Sequence, residues 1–245
     1  HPIREMVIQA DDAGRSMEAV KTAITYRYEE DACNRVIYSE SHDEVANGKA
    51  RVPQEINNDD PTGWHAQKRS TLAAGLLFTS PGIPMIFQGQ EFLQGEWFRD
   101  NVPLDWHMNE EYHGVARMYR DLIWLRLNRD SVSRGLCGQN VAVTHVNDQQ
   151  NMIAFQRWDQ HGDGDDVMVI ANCGYEVKEG YRIGMPQSGE WKLRFNSDAS
   201  IYSDDFQNTL STHLTATDDA QDGLPASAEV TIAPYSVLIY SRDPS

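Results

Sequence analysis

Residues 36–49 read VIYSESHDEVANGK, and residues 76–92 read LLFTSPGIPMIFQGQEF. Each holds a short apolar run that turns abruptly polar. In the first, Val36, Ile37 and Tyr38 predict a strand over 35–39, and the chain passes straight into Glu40-Ser41-His42-Asp43-Glu44. In the second, IPMIFQ over 83–88 predicts a strand covered on both faces, followed by a polar loop over 89–109. Between the two, Asp60-Pro61 suits an N-cap with a first-turn proline. The helix it opens runs to about Phe78, where Ser80-Pro81-Gly82 stops it. Strand, helix and strand in that order predict a parallel pair with the helix packed outside it. In such folds the loops that follow the strand C-termini open on one face and carry the chemistry.

Further out, Met17, Val20, Ile24 and Tyr28 fall at helical spacing and predict a helix over 14–30. Val115, Tyr119, Leu122 and Ile123 predict the buried stripe of another over 110–128. Two strands leave both sheet edges open, an unstable arrangement alone. The first half, residues 1–133, is therefore expected to be part of a larger parallel sheet or barrel. The sequence opens on His1 rather than Met, and the missing strands are expected upstream. Near Arg134-Gly135 the pattern changes to successive strands, 141–146, 151–158, 166–172, 190–195, 229–233 and 236–241, with turn signals between them. Residues 134–245 are expected to form an antiparallel β-sandwich, with 204–227 as a long surface loop.

Composition narrows the partners. The chain has 245 residues, with 37 Asp and Glu against 21 Lys and Arg, a net charge of −16. Such a charge repels phosphate backbones and anionic lipid surfaces, so neither nucleic acid nor membrane is an expected partner, and neutral ligands such as sugars remain. No run of ~18 uncharged apolar residues is present to span a bilayer. The opening HPIREMVIQADD lacks the apolar core of a signal peptide. Cys33, Cys137 and Cys173 are odd in number and widely spaced, which predicts buried reduced thiols rather than a disulfide framework or zinc knuckle. No GxGxxG or Walker A sequence supports a nucleotide cofactor, and no cofactor or metal is expected.

The two post-strand loops supply His42, Asp43 and Glu44 on one side, and Gln88, Gln90, Glu91, Trp97, Asp105 and Trp106 on the other. Carboxylates and amides bind sugar hydroxyls, and indoles stack on sugar C–H faces. The same residues equally suit polar loops with aromatic anchors. Ser41-His42-Asp43 is no triad, because contiguous residues in an extended chain point to alternating faces. Asp159, His161 and Asp163 with Gly164 echo an EF-hand, but Ile170 stands where a bidentate Glu is needed, so a hairpin turn is expected there. His65 and His113 lie in helix candidates, as solvated or capped side chains.

On these residues the sequence resembles the α-amylase superfamily of glycoside hydrolases. VIYSESHDEVANGK resembles the superfamily's last motif, which ends the seventh barrel strand with a His-Asp pair, and LLFTSPGIPMIFQGQEF resembles its eighth-strand region. GQEF, then Trp97, then PLDW at 103–106 are similar to the glycogen and starch branching enzymes within it. The resemblance implies the C-terminal part of a (β/α)8 TIM barrel followed by an antiparallel β-sandwich. It implies a retaining double displacement on α-1,4-glucan, the cleaved chain passing to a glucan 6-hydroxyl. His42 and Asp43 would then clamp the sugar ring at the cleavage point. Glu44, Trp64, Gln90, Glu91, Trp97 and Trp106 would contact glucan, with Glu91 either binding substrate or fixing its own loop. The superfamily's nucleophile Asp and acid/base Glu belong to earlier strands, and neither is found here. The chain is expected to be a C-terminal fragment, inactive alone, whose partners are α-glucan and the upstream part of the same enzyme. The expected location is cytoplasmic, or plastidic in a plant. The alternatives are a non-catalytic glucan-binding module, or a fragment of a trehalohydrolase or amylase-type hydrolase.

Overall fold

The computed structural model describes residues 2–46, 48–162, 164–206 and 209–244. Its first part is helical: α1 (Pro2–Ile8), α2 (Met17–Thr25), α3 (His42–Ala46), α4 (Val52–Ile56), α5 (Trp64–Thr79), α6 (Trp106–Glu111) and α7 (His113–Arg126). Among them lie two short strands, β1 (Val36–Ile37) and β2 (Ile83–Pro84), which pair in parallel. Then follow β3 (Asn140–Asn147), β4 (Met152–Trp158), β5 (Val167–Asn172), β6 (Lys178–Met185), β7 (Gly189–Asn196), β8 (Leu214–Ala216), β9 (Ala226–Ile232) and β10 (Ser236–Ser241). They form a six-stranded sheet of order β3-β4-β5-β10-β7-β8 and a two-stranded sheet of β6 and β9. Every pairing in this second part is antiparallel.

The six-stranded sheet is buried on both faces, so its central strands read as continuous apolar runs. Along β4, Met152 and Ala154 point into a core shared with Ile183, Met185 and Val230 of the small sheet. Ile153 and Phe155 point the other way, into a core shared with Leu72, Leu76, Met118 and Leu122 of α5 and α7. The sandwich and the helical part thus share one apolar layer across residue 134.

Helix α5 is the spine of the molecule. Every residue from Ala66 to Thr79 is buried, and a helix buried all round must satisfy its polar side chains internally. Lys68 Nζ reaches Asp198 Oδ1 at 2.6 Å and Ser236 Oγ at 2.7 Å, while Arg69 donates to the carbonyls of Val7 and Gln9 at 2.6 and 3.0 Å. The C-terminus of α5 attracts cations, as unpaired helix carbonyls do. Arg157 donates to Thr79 O, and Arg126 to Phe78 O and Ser80 O at 3.1 and 2.6 Å. Gly75 lets α5 approach β10, since a Cβ there would lie 2.9 Å from Val237 Cγ2.

Several sequence expectations are corrected. The strands expected over 35–39 and 83–88 shorten to two residues each, because each has only one partner strand. Their apolar residues are half-exposed, Val36 at 50% and Ile83 at 49%, so neither face is fully covered. The helix expected over 14–30 ends at Thr25, and Tyr28 beyond it is exposed. Gly63, not Asp60, is the N-cap of α5. The helix expected over 110–128 divides into α6 and α7, and Ile123 lies at 37% exposure off the buried stripe. The stretch 204–227 contains β8 and the start of β9 rather than loop alone. Of the cysteines, Cys173 alone is buried, with its thiol pushed up to about 12 by burial, whereas Cys33 and Cys137 are exposed. The turn between β4 and β5 is a hairpin in which Asp165 accepts from the Asp159 and Gln160 N–H groups; Asp163 lies outside the described residues. No helix among the described residues is long and apolar enough to cross a membrane.

Candidate active-site face

Pairing of β1 with β2 puts their C-terminal ends side by side, with Ile83 N donating to Arg35 O and Met85 N to Ile37 O, each at 2.9 Å. The polar residues that follow the two strands are therefore brought together, and hydrogen bonds fasten one loop to the other. Gln90 Nε2 donates to Ser39 Oγ at 2.5 Å, and Gln90 Oε1 accepts from Phe87 N at 3.2 Å. Gln90 is 8% exposed, so its amide ties the second loop to the end of β1.

Beneath this link lies a fully buried carboxylate. Glu40 accepts from Val52 N at 2.5 Å and from Arg51 Nη1 at 3.4 Å. Arg51 in turn donates to Gln88 O at 2.9 Å and covers the Phe87 ring at 4.6 Å. The Arg51 N–H also meets Glu96 O at 3.4 Å, which fixes the loop carrying Trp97. Arg4 adds bonds to Ser39 O at 3.0 Å and Ala50 O at 2.7 Å, and an ion pair with Glu55 at 3.2 Å. Burial pushes the Glu40 carboxyl above the usual carboxylate range, opposed by Arg51, the Val52 N–H and Arg4. Burial likewise lowers the Arg51 guanidinium, with Glu40 opposing. A buried charge is tolerated only when paired and hydrogen-bonded in this way.

His42 and Asp43 open α3 at the exposed side of this centre. His42 Nε2 lies 3.0 Å from Asp43 Oδ1, and their side chains are 67% and 78% exposed. Glu44, in the same turn of α3, is half-buried. Trp97 and Trp106 are 54% and 63% exposed, Trp106 resting 5.5 Å from the Phe92 ring. Glu91 has one carboxylate oxygen, Oε2, buried with no hydrogen-bond partner among the described residues, and it faces Tyr119 and Ile86 in a cavity beside α7. Trp64 sits apart from the group, its ring contacts being His65, Tyr175 and Tyr235 at 4.9 to 6.0 Å.

The face therefore has buried anchors, Ser39, Glu40, Arg51 and Gln90, and exposed polar and aromatic side chains, His42, Asp43, Trp97 and Trp106. An exposed imidazole–carboxylate pair can bind hydroxyls, and exposed indoles can stack on apolar ring faces of a polyol. No group of three or more His, Cys, Asp or Glu side chains among the described residues is placed to hold a metal ion. Arg51 and Arg4 were not singled out from sequence. The one signal for Arg51 is its position as a cation in a stretch otherwise rich in acids, Asp43, Glu44, Glu55, Asp59 and Asp60.

Comparison with known proteins bears on the family and the fold. Residues 143–243 match the family described as alpha amylase, C-terminal all-beta domain. The 1,4-alpha-glucan branching enzyme GlgB of Shewanella sp. (strain W3-18-1) is 33% identical over 224 residues, 89% of this chain and 28% of that protein. The 1,4-alpha-glucan branching enzyme GlgB 1 of Xanthomonas euvesicatoria pv. vesicatoria (strain 85-10) is 33% identical over 184 residues, 74% of this chain and 24% of that protein. The chain thus spans between 24% and 28% of the length of these relatives. Among solved structures, a pullulanase from Anoxybacillus sp. LM18-11 complexed with maltotetraose superposes with TM-score 0.62 at 15% identity, over 97% of this chain and 32% of that one. An α-amylase from H. orenii gives 0.60 at 18% identity, over 98% and 48%. At such identities these structures speak to the fold alone.

Proposed function

We propose that this chain is the C-terminal portion of a 1,4-α-glucan branching enzyme of the α-amylase superfamily. In this reading residues 1–133 close a (β/α)8 barrel, with β1 and β2 as its seventh and eighth strands, and residues 134–245 are the β-sandwich that follows. The substrate is an α-1,4-glucan such as glycogen or starch. The compartment is the cytoplasm, or the plastid in a plant, and nucleic acid and membrane are not partners.

What carries the reading is the parallel register of β1 and β2, which sets the His42-Asp43 turn and the Gln90–Trp106 loop on one face around a single buried Glu40–Arg51 pair. That is the face on which parallel α/β barrels do their chemistry. A retaining transfer needs a carboxylate to attack the anomeric carbon and an acid to protonate the departing oxygen. Both belong upstream in this reading. The glucosyl–enzyme bond is then broken by a glucan 6-hydroxyl, whose proton returns to the acid/base residue. His42 donates to a ring hydroxyl of the distorted sugar, and Asp43 accepts from another and stabilises the positive charge developing at the anomeric centre. Such contacts act in the transition state more than in the ground state. Glu44, Gln90 and Glu91 shape the rim of the site, Trp97 and Trp106 offer stacking faces, and Trp64 serves glucan only through the seam with the sandwich.

The test is Asp43→Asn in the full-length protein, assayed for new α-1,6 branch points. The expected loss is at least ~100-fold in rate, as for other positioned transition-state groups; an unchanged rate refutes the role. The 245-residue chain by itself is expected to form no branches, and branch formation by it would overturn the placement of the nucleophile upstream.

A further inference from the structure

Two of the three cysteines lie outside the candidate site, and both are exposed. Cys33 sits in the turn Ala32–Asn34 between α2 and β1, and Cys137 follows the turn Arg134–Leu136 before β3. Both stand where the helical part meets the sandwich. We propose that Cys33 and Cys137 are a redox pair, a modification site that a small anionic disulfide converts into a bridge across this seam. Glucan chemistry has no part in it, so the pair stands or falls apart from the branching-enzyme reading.

The two cysteine-bearing segments are bonded to each other. Gln139 Oε1 accepts from Ala32 N at 2.9 Å, and Gln139 O accepts from Arg27 Nη2 at 2.7 Å. They also converge on one turn. Cys137 Sγ donates to Arg126 O at 3.3 Å, and the Arg126 side chain donates to Ser80 O and Gly82 O at 2.6 and 2.7 Å. Arg35, two residues after Cys33, donates to Pro81 O of the same turn at 2.9 Å. Burial lowers the Arg126 guanidinium, and Cys137 and Cys33 are the two groups that oppose it.

In a chain of net charge −16, this seam is cationic. Arg27, Arg35, Arg126 and Arg157 donate to carbonyl oxygens and form no ion pair among the described residues. Arg157 holds Gly138 O, next to Cys137, at 2.6 Å. Two carboxylates stand against them. Asp31 accepts from Cys33 N at 2.7 Å, and Asp159 is already paired with Arg134 at 3.2 Å. Guanidiniums with no carboxylate of their own draw an anionic oxidant such as glutathione disulfide. Partial burial raises the Cys137 thiol, opposed first by Arg126, which makes exposed Cys33 the attacking sulfur and Cys137 the resolving one.

The chemistry is thiol–disulfide exchange in two steps. Cys33 Sγ attacks one sulfur of the oxidant, whose S–S bond breaks to release one glutathione. Cys137 Sγ then attacks Cys33 Sγ, and the mixed S–S bond breaks to release the second. Two cysteine thiols are oxidised to one disulfide, the oxidant is reduced to two thiols, and the two cysteine protons pass to the departing thiolates.

The experiment treats the 245-residue chain with glutathione disulfide and, separately, with neutral bis-hydroxyethyl disulfide, followed by peptide mapping without reduction. The expected product is a peptide linked through Cys33 and Cys137, in a chain two hydrogens lighter and restored by dithiothreitol. The bridge closes a loop of roughly 100 residues, so the melting temperature should rise by about 5–10 °C. Cys137→Ser should stop at one glutathione on Cys33, and Cys33→Ser should slow the reaction by about tenfold or more. Both positions are exposed, and melts of the reduced variants should match the parent. Added salt should slow the anionic oxidant and leave the neutral one unchanged; an equal response of the two overturns the part given to the guanidiniums. One glutathione on each cysteine without a bridge, a link between two chains, or a bridge formed only in urea overturns the pair.

Discussion

Glu40 has no exposed surface and holds three things at once: the start of α4 through Val52 N, the Arg51 guanidinium, and through it Gln88 O of the second loop. Glu40→Ala leaves Arg51, itself 2% exposed, as a buried unpaired cation, and breaking such a pair costs about 3–5 kcal/mol. Urea unfolding should show a loss of that size, and a loss below about 1 kcal/mol would show that water replaces the carboxylate. The pH dependence has a defined sign. Burial raises the carboxyl from its ordinary 4.5 in the folded chain, so folding favours the protonated form. The stability Glu40 contributes is complete below 4.5 and declines as pH rises through the raised folded value. Measured against Glu40→Gln, which has no proton to exchange, the parent should gain stability as pH falls through that window. A difference that grows with rising pH would refute the direction. At this scale His42, Asp43 and Gln90 were singled out from the sequence, whereas Arg51 and Arg4, which hold the two loops, were not. His42 and Asp43 stand next to a β-branched run, whereas the partner of Glu40 is set by the path of the chain between 44 and 51, which no periodicity encodes.

Elements were readable where one rule governed them. β4, β5 and β10 are buried on both faces, and their unbroken apolar runs say so. β6 escaped because KEGYRIGM carries two glycines and three charges on a strand covered on one side only. β8 is three residues long and pairs only with β7 in its sheet, too short for alternation to register. The short β1 and β2 show the converse, because the expected strands of five and six residues outlast the pairing that one partner strand supports. Helix α7 makes a sharper case. Gly114 lies in its first turn, where propensity disfavours glycine, yet a Cβ there would sit 2.2 Å from the Tyr202 carbonyl oxygen. The glycine exists for the approach of α7 to the 199–202 turn, which Tyr202 OH secures with a 3.0 Å bond to Asp121. Gly114→Ala should therefore destabilise by about 1–3 kcal/mol despite the better helix former. A gain in melting temperature would show that the turn yields freely.

Across the whole molecule, the helices and the sandwich are joined by charge as well as by apolar surface. Lys68 in α5 and Asp198 after β7 are both buried, 2.6 Å apart, and Asp198 Oδ2 also accepts from Thr209 N at 3.2 Å. The same helix is held at its far end by Arg157 of β4. One core includes Leu72 and Leu122 from the helices and Ile153, Val169 and Val237 from the sheet. The second core, around Trp191, is covered by β6 and β9 and includes no helix residue among the described residues. Because β4, β5 and β10 give side chains to both cores, neither can melt while the other keeps its strands. Helix loss followed by far-ultraviolet circular dichroism and exposure of the buried tryptophan followed by fluorescence should then coincide in a single transition, the signature of two-state unfolding. Lys68→Met removes the cation and leaves Asp198 uncompensated at a site where α5 meets β10. It should lower both transitions together, by about 3–5 kcal/mol. Separation of the two curves in the parent, or a shift of the helical signal alone in Lys68→Met, would mean that the sandwich stands without α5. The position of the His42-Asp43 turn would then depend on the helical layer by itself. Coincident shifts would instead make every contact between α5 and β10 a contact that holds the candidate site in place.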